Sequence, residues 1–219
     1  MIEGEEKLLQ IRWHGHACFE VTNDLTIVTD PHDGKSIGLP APSVKGDMIL
    51  VSHDHYDHNS VKTVEKEGSI VVREPGKKEI KGVKIEGIES FHDEVGGAKR
   101  GKNIIFKFEV DDIIFCHLGD LGHVPDKNLL EKIGKVDVLF IPVGGTFTLD
   151  ADSAWETANL INPKIVVPMH YKIQGLSLPI SDVDPFLAKN KFKVVHVGNE
   201  IDIEKDEIPE EREIWVFSL

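Results

Sequence analysis

The sequence contains little cysteine and lacks a long apolar run. Cys18 and Cys116 are the only cysteines among 219 residues, and neither has another cysteine nearby. This excludes a disulfide-rich secreted scaffold. The two cysteines either form one distant disulfide or are two buried thiols, and buried thiols fit a reducing cytoplasm. No apolar run approaches the roughly 18 residues of a membrane-spanning helix. Residues 1–7 are acidic and lack the layout of a signal peptide, which favours a cytoplasmic protein.

Basic residues are also fewer than acidic ones. Lys and Arg together number 25 against 38 Asp and Glu, which gives a formal net charge of −13. Such a charge repels nucleic acid phosphates and argues against a general DNA- or RNA-binding role. It leaves room for a small anionic substrate, because bound metal cations reverse the sign of the local charge. We therefore expect a small-molecule substrate, while the oligomeric state leaves no trace in the sequence.

The order of the predicted elements indicates an α/β or α+β domain built on large sheets. Hydrophobic residues make up 40% of the chain, and neither a repeat nor a low-complexity linker divides it, so we expect one domain over residues 1–219. Apolar alternation and short apolar runs predict strands at 9–13, 18–21, 25–29, 47–52, 69–73, 83–88, 103–110, 113–116, 136–143, 164–168, 192–197 and 213–217. Helices are predicted near 58–67, at 126–133, at 152–161 with Asp152 or Ser153 as its cap, and from Ser181 or Asp182 to 190.

A cluster of histidines and aspartates directly follows the predicted strand that ends at Ser52. Residues 53–58 read His-Asp-His-Tyr-Asp-His, which puts three imidazoles and a carboxylate in the pattern His-x-His-x-Asp-His. One metal ion cannot readily take four ligands from so short a segment, because the side chains diverge along the backbone. Two metal ions can, with His53 and His55 on one side and Asp57 and His58 at a second position. The alternative is a solvated acidic turn that happens to be rich in histidine.

Other histidines and aspartates end further predicted strands and argue against that alternative. They are His92, Asp120 and His170. Strand ends at one edge of a sheet are where α/β proteins assemble their sites. Each of these residues taken singly is more often an ordinary loop or core residue. Together with the cluster, they are predicted to be metal ligands.

These motifs resemble those of the metallo-β-lactamase superfamily. Within it, the chain is most similar to the branch that contains ascorbate-6-phosphate lactonases and the phospholipase D acting on N-acyl phosphatidylethanolamines. The matching pieces span nearly the whole chain in the family's order: Trp13-His-Gly-His-Ala-Cys18, Thr29-Asp-Pro31, residues 53–58, Phe91-His92, His117-Leu-Gly-Asp-Leu-Gly-His123 and Pro168-Met-His170. The resemblance implies a four-layer αββα sandwich, with two sheets face to face and helices outside.

The resemblance also implies an assignment of metal ligands and a reaction class. The first metal would be held by His53, His55 and His92, and the second by Asp57, His58 and His170, with Asp120 bridging both. Imidazole and carboxylate ligands suit zinc, the expected metal, and also manganese or iron. Two such metals activate a shared water to hydroxide. Asp57 is then the catalytic residue that orients the hydroxide and accepts its proton.

Hydrolysis of a small ester, lactone or phosphodiester is the function that this site favours. Three alternatives stay open. Some members of the superfamily are nucleases, some bind two irons and act with flavin domains, and a metal-holding fold of this kind can also serve as a non-catalytic regulator or scaffold. The acidic charge argues against the nuclease, the lack of a flavin domain against the redox enzyme, and the complete ligand set against the scaffold.

Several residues near the predicted ligands have two interpretations each. Asp30 either orients a metal-bound histidine from behind or is a turn residue before Pro31. His117 and His123 flank Asp120, and either is a candidate general acid, although His117 also suits a strand core. His16 belongs to the first matching motif, where packing around the site is one interpretation of its role.

Basic residues and long loops are the candidates for substrate recognition. Lys99, Arg100 and Lys102 lie in a Gly-rich stretch after His92, where they either receive an anionic substrate or form a solvated turn. The segments 31–46 and 172–181 are expected to shape the pocket, because long loops often cover active sites.

Overall fold

Strands within residues 8–219, the part of the chain that this computed structural model describes, form two sheets. Residues 1–7, to which the signal-peptide argument applies, lie outside the described residues. The strands are β1 Leu9–Trp13, β2 Phe19–Thr22, β3 Thr26–Thr29, β4 Met48–Leu50, β5 Ile70–Val72, β6 Gly76–Ile80, β7 Val83–Phe91, β8 Lys102–Val110, β9 Ile113–His117, β10 Val138–Pro142, β11 Ile165–Met169, β12 Lys193–His196, β13 Glu200–Ile203 and β14 Glu213–Val216. The helices are α1 Val61–Val64, α2 Lys127–Ile133, α3 Ala151–Ile161 and α4 Asp184–Leu187, with 3-10 turns at Lys35–Ile37 and Lys205–Glu207.

The first sheet has six strands in the order β13-β1-β2-β3-β4-β5. Strands β13, β1, β2 and β3 pair antiparallel, whereas β3, β4 and β5 pair parallel. In β1, Leu9, Ile11 and Trp13 are buried and alternate with half-buried residues. This alternation matches a strand with one face on the core and the other toward solvent, and the sequence carries the same period of two.

The second sheet has eight strands in the order β12-β14-β11-β10-β9-β8-β7-β6. Its half from β6 to β9 is antiparallel, and the half containing β9, β10, β11, β14 and β12 is parallel. Every residue of β10 and β11 is buried. Continuous burial of this kind is typical of parallel strands that are covered on both faces, and it explains why their sequences are apolar throughout.

Helices cover the outer faces of both sheets, so the predicted αββα sandwich is confirmed. The main core lies between the sheets, where the rings of Phe19 and Phe140 are 4.4 Å apart. A separate apolar cluster joins Val61 and Val64 of α1 to the outer face of the first sheet. Helices α2 and α3 pack on β7 and β10 of the second sheet. Both cysteines are buried and free, as the composition indicated.

The structure corrects several of the predicted elements. Strands β6 and β13 were not predicted, because both lie at sheet edges and carry charged residues that face solvent. The cap of α3 is Asp150, whose carboxylate accepts the backbone N–H of Ser153, and the predicted cap at Asp152 or Ser153 is wrong. The helices predicted near 58–67 and up to residue 190 are shorter than predicted: each is a single turn, α1 and α4.

The carboxyl ends of five strands carry the predicted site residues to one region. They are β3, β4, β7, β9 and β11, which lead into Asp30, the 53–58 segment, His92, Asp120 and His170. Within residues 8–219 the longest helix is α3 with 11 residues, and none has the length and apolar character needed to cross a membrane.

Candidate metal centre

A tight turn after β1 places the first histidine of the site. The indole N–H of Trp13 donates to the carbonyl of His16 at 3.1 Å, and the backbone N–H of Cys18 donates to the carbonyl of Gly15 at 3.0 Å. Gly15 has φ 91° and His16 has φ 55°. This left-handed pair, which glycine favours, explains the Gly in the motif and turns the buried His16 ring toward His170, 4.1 Å away between centroids.

The 53–58 segment is anchored to the end of β3. Asp30, itself at φ 38°, accepts hydrogen bonds from the Ser52 backbone N–H at 2.7 Å and the Ser52 hydroxyl at 2.6 Å. Within the segment, the backbone N–H of His58 donates to the carbonyl of His55 at 3.0 Å. The resulting turn directs the closely spaced side chains of this segment to different positions.

The first group of candidate ligands consists of His53, His55 and His92. Their ligand atoms lie within 4.8 Å of one another. The ring of His55 is 4.5 Å from that of His53 and 5.1 Å from that of His92. His53 and His92 are buried and His55 is half-buried, so one side of this group faces the exterior.

The second group consists of Asp57, His58 and His170, and it also includes His16. These four residues are buried, and their ligand atoms again lie within 4.8 Å of one another. The Asp57 carboxylate is 3.1 Å from Nε2 of His16 and 3.6 Å from Nε2 of His58. His16 was not among the predicted ligands, and its place in the Trp-His-Gly-His motif, which also matched the family, was the signal that pointed to it.

Asp120 lies between the two groups. Its Oδ2 is 3.1 Å from Nε2 of His92 and 3.7 Å from Nε2 of His53 in the first group. The same oxygen is 3.3 Å from Nε2 of His58 and 3.4 Å from Nε2 of His170 in the second group. The backbone N–H of Asp120 donates to the side-chain carbonyl of Asn103, a residue that sequence reasoning missed.

The donor set fits divalent metal ions. Among the described residues, six buried polar atoms of the candidate ligands have no hydrogen-bond partner: Nε2 of His53 and His58, Nδ1 of His16, His92 and His170, and Oδ1 of Asp120. Each such atom costs about 1–3 kcal/mol when it is left unsatisfied. Imidazole nitrogens and carboxylate oxygens that converge without a protein partner are the ligands that zinc, manganese and iron accept.

The electrostatics of the site also favour a cation. Burial is the largest cause that lowers the pKa of His53 and of His16 to about 3, so both imidazoles are neutral at pH 7 and able to coordinate a metal. Burial opposes the ionisation of Asp120, but His170 and His58 outweigh it and hold its pKa well below the usual range. Burial likewise disfavours charge on His58, yet Asp120 and Asp30 raise its pKa. Positive charge is therefore stabilised between these two carboxylates.

Asp30, His117 and His123 lie around the two groups, and Asp30 also forms a third group of possible ligands with His53 and His58. Asp30 accepts a hydrogen bond from Nδ1 of His58 at 3.0 Å, which orients the opposite ring nitrogen, Nε2, toward Asp120. In His117, Nε2 donates to the carbonyl of Ala17 and Nδ1 accepts from the backbone N–H of Gly119, so both nitrogens are engaged. In His123, Nδ1 bonds the carbonyl of Val124, while the buried Nε2 has no partner among the described residues.

Comparison with known proteins gives a consistent answer. The profile described as "Beta-lactamase superfamily domain" matches residues 10–170. A UPF0173 metal-dependent hydrolase from Thermococcus onnurineus is 30% identical over 193 residues, which cover 75% of this chain and 85% of that protein. A candidate zinc-dependent hydrolase of the metallo-β-lactamase superfamily from Thermotoga maritima has a crystal structure that matches with a TM-score of 0.79 at 41% identity, covering 95% of this chain and 98% of that one. The chain belongs to the metallo-β-lactamase superfamily, in the UPF0173 metal-dependent hydrolase family.

Proposed function

We propose that this protein is a hydrolase that uses two divalent metal ions, with zinc as the expected metal, to cleave a small ester, lactone or phosphodiester. Its relatives are named metal-dependent hydrolases, and the Thermotoga maritima protein is named as a candidate zinc-dependent one. The resemblance of its motifs to those of the lactonase and phospholipase D branch supports substrates of these three classes. The net charge of −13 favours a small substrate over a nucleic acid.

The observation that carries the proposal is the position of Asp120. One of its carboxylate oxygens is within 3.7 Å of imidazole nitrogens from both groups of candidate ligands. A carboxylate at this place supports a bridge between two metal positions, with His53, His55 and His92 on one side and Asp57, His58, His170 and His16 on the other. When bound, a metal pair of this kind lowers the pKa of a shared water and polarises the substrate oxygen.

Asp57 is the candidate proton acceptor. Burial raises its pKa, but the hydrogen bond with His16 and the neighbouring His58 outweigh burial and hold the pKa below the usual range. The carboxylate therefore stays ionised, although it is buried. The hydrogen bond with His16 fixes the orientation of the Asp57 carboxylate. Asp57 then orients the attacking water and accepts its proton.

His123 is the better candidate for the general acid of the two histidines that flank Asp120. Both ring nitrogens of His117 are engaged with backbone groups, so His117 has no nitrogen to offer a leaving group. The Nε2 of His123 has no such partner among the described residues.

The first test is to measure bound metal and turnover together. Elemental analysis of the purified protein, before and after reconstitution with zinc, manganese or iron, is expected to give about two equivalents per chain. Hydrolysis of bis(4-nitrophenyl) phosphate and of 4-nitrophenyl acetate should then depend on the metal and stop on addition of a chelator.

Asp120→Asn is the informative variant, and Asp126→Asn is its matched control. The first substitution removes the charge between the two groups and should lower both metal content and turnover. The second makes the same change at the cap of α2, where asparagine also caps well, and should leave both unchanged. Two metals with no turnover of any probe would favour a scaffold, whereas full metal content in Asp120→Asn would refute the bridging role.

A further inference from the structure

A cavity of about 450 Å³ opens beside the first group of candidate ligands. His53 and His55 line one side of it. Three basic residues also line it: Arg73, Arg100 and Lys102. A substrate that reaches the first group through this cavity therefore passes several cationic side chains, although the chain as a whole is strongly acidic.

The three cations differ in how far protein carboxylates neutralise them. Lys102 forms an ion pair with Glu89 at 2.6 Å. Arg73 faces Asp54 at 3.9 Å, which is too long for a hydrogen bond. Arg100 has no carboxylate oxygen within 4.0 Å of its guanidinium among residues 8–219. Arg100 is thus the cation whose charge is least compensated at this cavity.

Arg100 is also held in place before any ligand arrives. Its backbone N–H donates to the carboxylate of Asp93 at 2.8 Å. The same carboxylate accepts the backbone N–H groups of Val95, Gly97 and Lys99, at 2.8–2.9 Å, and so fixes the loop after His92. Asp93 thus accepts hydrogen bonds from four backbone donors of a loop that has no regular secondary structure.

The guanidinium itself reaches across to the loop after β10. One nitrogen donates to the carbonyl of Thr146 at 3.0 Å, and the group lies over the ring of Phe147, 5.3 Å from its centroid. A single hydrogen bond uses only one of about five N–H donors of a guanidinium. The other N–H donors of the guanidinium have no hydrogen-bond partner among the described residues, so they can bind a carboxylate or a phosphate in two-point geometry.

We propose that Arg100 binds an anionic group of the substrate, a carboxylate or a phosphate, at a position separate from the bond that is hydrolysed. The inference rests on the proposed hydrolase function and narrows its substrate class to molecules with a second, negatively charged group. Arg73 assists from the exposed side of the cavity. Arg100 is in this sense a specificity-determining residue.

The decisive experiment compares ligands that differ by one carboxylate. Succinate and propionate both offer one carboxylate to the metal positions, and only succinate has a second one for Arg100. Dissociation constants are measured by calorimetry on the zinc-loaded protein. Wild type should bind succinate more tightly, and Arg100→Gln should weaken succinate binding about 10- to 100-fold while changing propionate binding little. Arg100→Lys should give an intermediate loss of succinate affinity, because lysine keeps the positive charge but lacks the planar guanidinium that binds a carboxylate through two N–H groups.

Lys99→Gln is the matched control. Lys99 pairs with Glu94 and does not line the cavity, so the structure does not support it as an anion-binding residue. The substitution removes the same charge one residue earlier in the loop and should leave both dissociation constants unchanged. Equal binding of the two ligands by wild type would overturn the proposal, as would a parallel loss of both in Arg100→Gln. If Arg100→Gln does not fold, succinate and propionate binding are compared in Arg73→Gln and Arg100→Lys instead, and a loss confined to succinate supports the proposal.

Turnover separates this inference from the proposed function. The kcat/KM of mono-4-nitrophenyl succinate is compared with that of the neutral ester 4-nitrophenyl acetate. If Arg100→Gln loses activity only on the anionic ester, both proposals stand. If neither ester is hydrolysed but the succinate preference depends on Arg100, the anion site stands and the hydrolase proposal fails for esters. If both esters are hydrolysed and the variant affects them equally, only the anion site fails.

Discussion

The buried histidines of this protein differ in whether both of their ring nitrogens are engaged. In His32, Nδ1 accepts the backbone N–H of Gly34 and Nε2 donates to the carbonyl of His14. His117 is engaged in the same way on both sides. In His53 and His58, only Nδ1 has a partner, and Nε2 points without one into the centre. His32 and His117 thereby hold the backbone, whereas His53 and His58 each keep one nitrogen free to coordinate a metal.

The doubly engaged His32 leads to a prediction about acid stability. Burial is the largest cause that lowers its pKa to about 4, whereas an unfolded histidine titrates near about 6.5. Above the unfolded value neither state is protonated. As the pH falls from there toward the folded value, only the unfolded state takes up the proton, so the folded state loses stability.

Replacing His32 by asparagine should therefore reduce the acid sensitivity of the fold. Asn keeps an acceptor for the Gly34 N–H but no group that titrates in this range. Between about pH 7 and about pH 5, the free energy of unfolding should fall by about 2 kcal/mol less than in wild type. Urea denaturation in the presence of a chelator measures this, and His196→Asn, the same change at an exposed position, is the control. Identical pH dependence in His32→Asn and wild type would contradict the assignment.

At the residue scale, the sequence was informative wherever a motif combined chemistry with position. The spacing of residues 53–58 predicts two metal positions. In the structure His53 and His55 group with His92, and Asp57 and His58 group with His16 and His170, while His53 and His58 also form a group with Asp30. His16 was harder to interpret, because its closeness to Asp57 depends on a turn at positive φ and on a contact across 41 positions of the chain. Ser52 and Asn103 were missed for the same reason: their hydrogen bonds to Asp30 and Asp120 exist only once distant strands are paired.

Among the elements, the two long loops 31–46 and 172–181 pack on each other. Ile37 and Leu39 of the first loop form a small apolar cluster with Leu176 and Ile180. The backbones meet at Gly38, where an added Cβ would lie 2.4 Å from the carbonyl oxygen of Gly175. The two loops therefore form one packed unit, and the expectation that they shape the pocket is not met at the cavity beside the first group, which neither loop lines.

This close approach predicts a specific loss of stability in Gly38→Ala. Gly38 has φ 79°, and Gly82 has φ 83° with nothing within 4 Å of an added Cβ. Both alanine variants carry the strain of a left-handed residue, about 1 kcal/mol. Only Gly38→Ala must also push two backbones apart, which should add roughly 1–3 kcal/mol. Urea denaturation of the two variants measures the difference, and equal losses would show that the loops separate without cost.

The elements themselves could be predicted where the hydrophobic pattern is strong. The buried strands β10 and β11 and the alternating strand β1 were found from sequence within one or two residues of their observed bounds. The edge strands β6 and β13 were not, because their pairing comes from neighbouring backbone rather than from an apolar face. The helix expected up to residue 190 ends at Leu187, since its stability depends on the packing of Phe186 against Trp155 rather than on a long amphipathic face.

On the scale of the whole molecule, the candidate ligands connect the two sheets. His16 and the 53–58 segment follow strands of the first sheet, whereas His92, Asp120 and His170 follow strands of the second. The order of motifs along the chain predicted the fold and the edge where they meet. The cavity beside the first group was beyond sequence reasoning, because it is lined by residues from four separate segments of the chain.

A centre held by both sheets predicts that metal binding stabilises the entire fold. Ligands that bind only the folded state add a free energy of RT ln(1 + [L]/Kd), about 4 kcal/mol when the free metal is 1,000 times Kd. For a chain of this size that corresponds to a rise in Tm of roughly 10 °C. Calorimetry of the zinc-loaded and the chelator-treated protein measures this difference in Tm. Asp120→Asn should narrow it and Asp126→Asn should not, because only Asp120 lies between the two sheets' ligands. An equal Tm with and without metal would mean that the sheets hold this site together unaided.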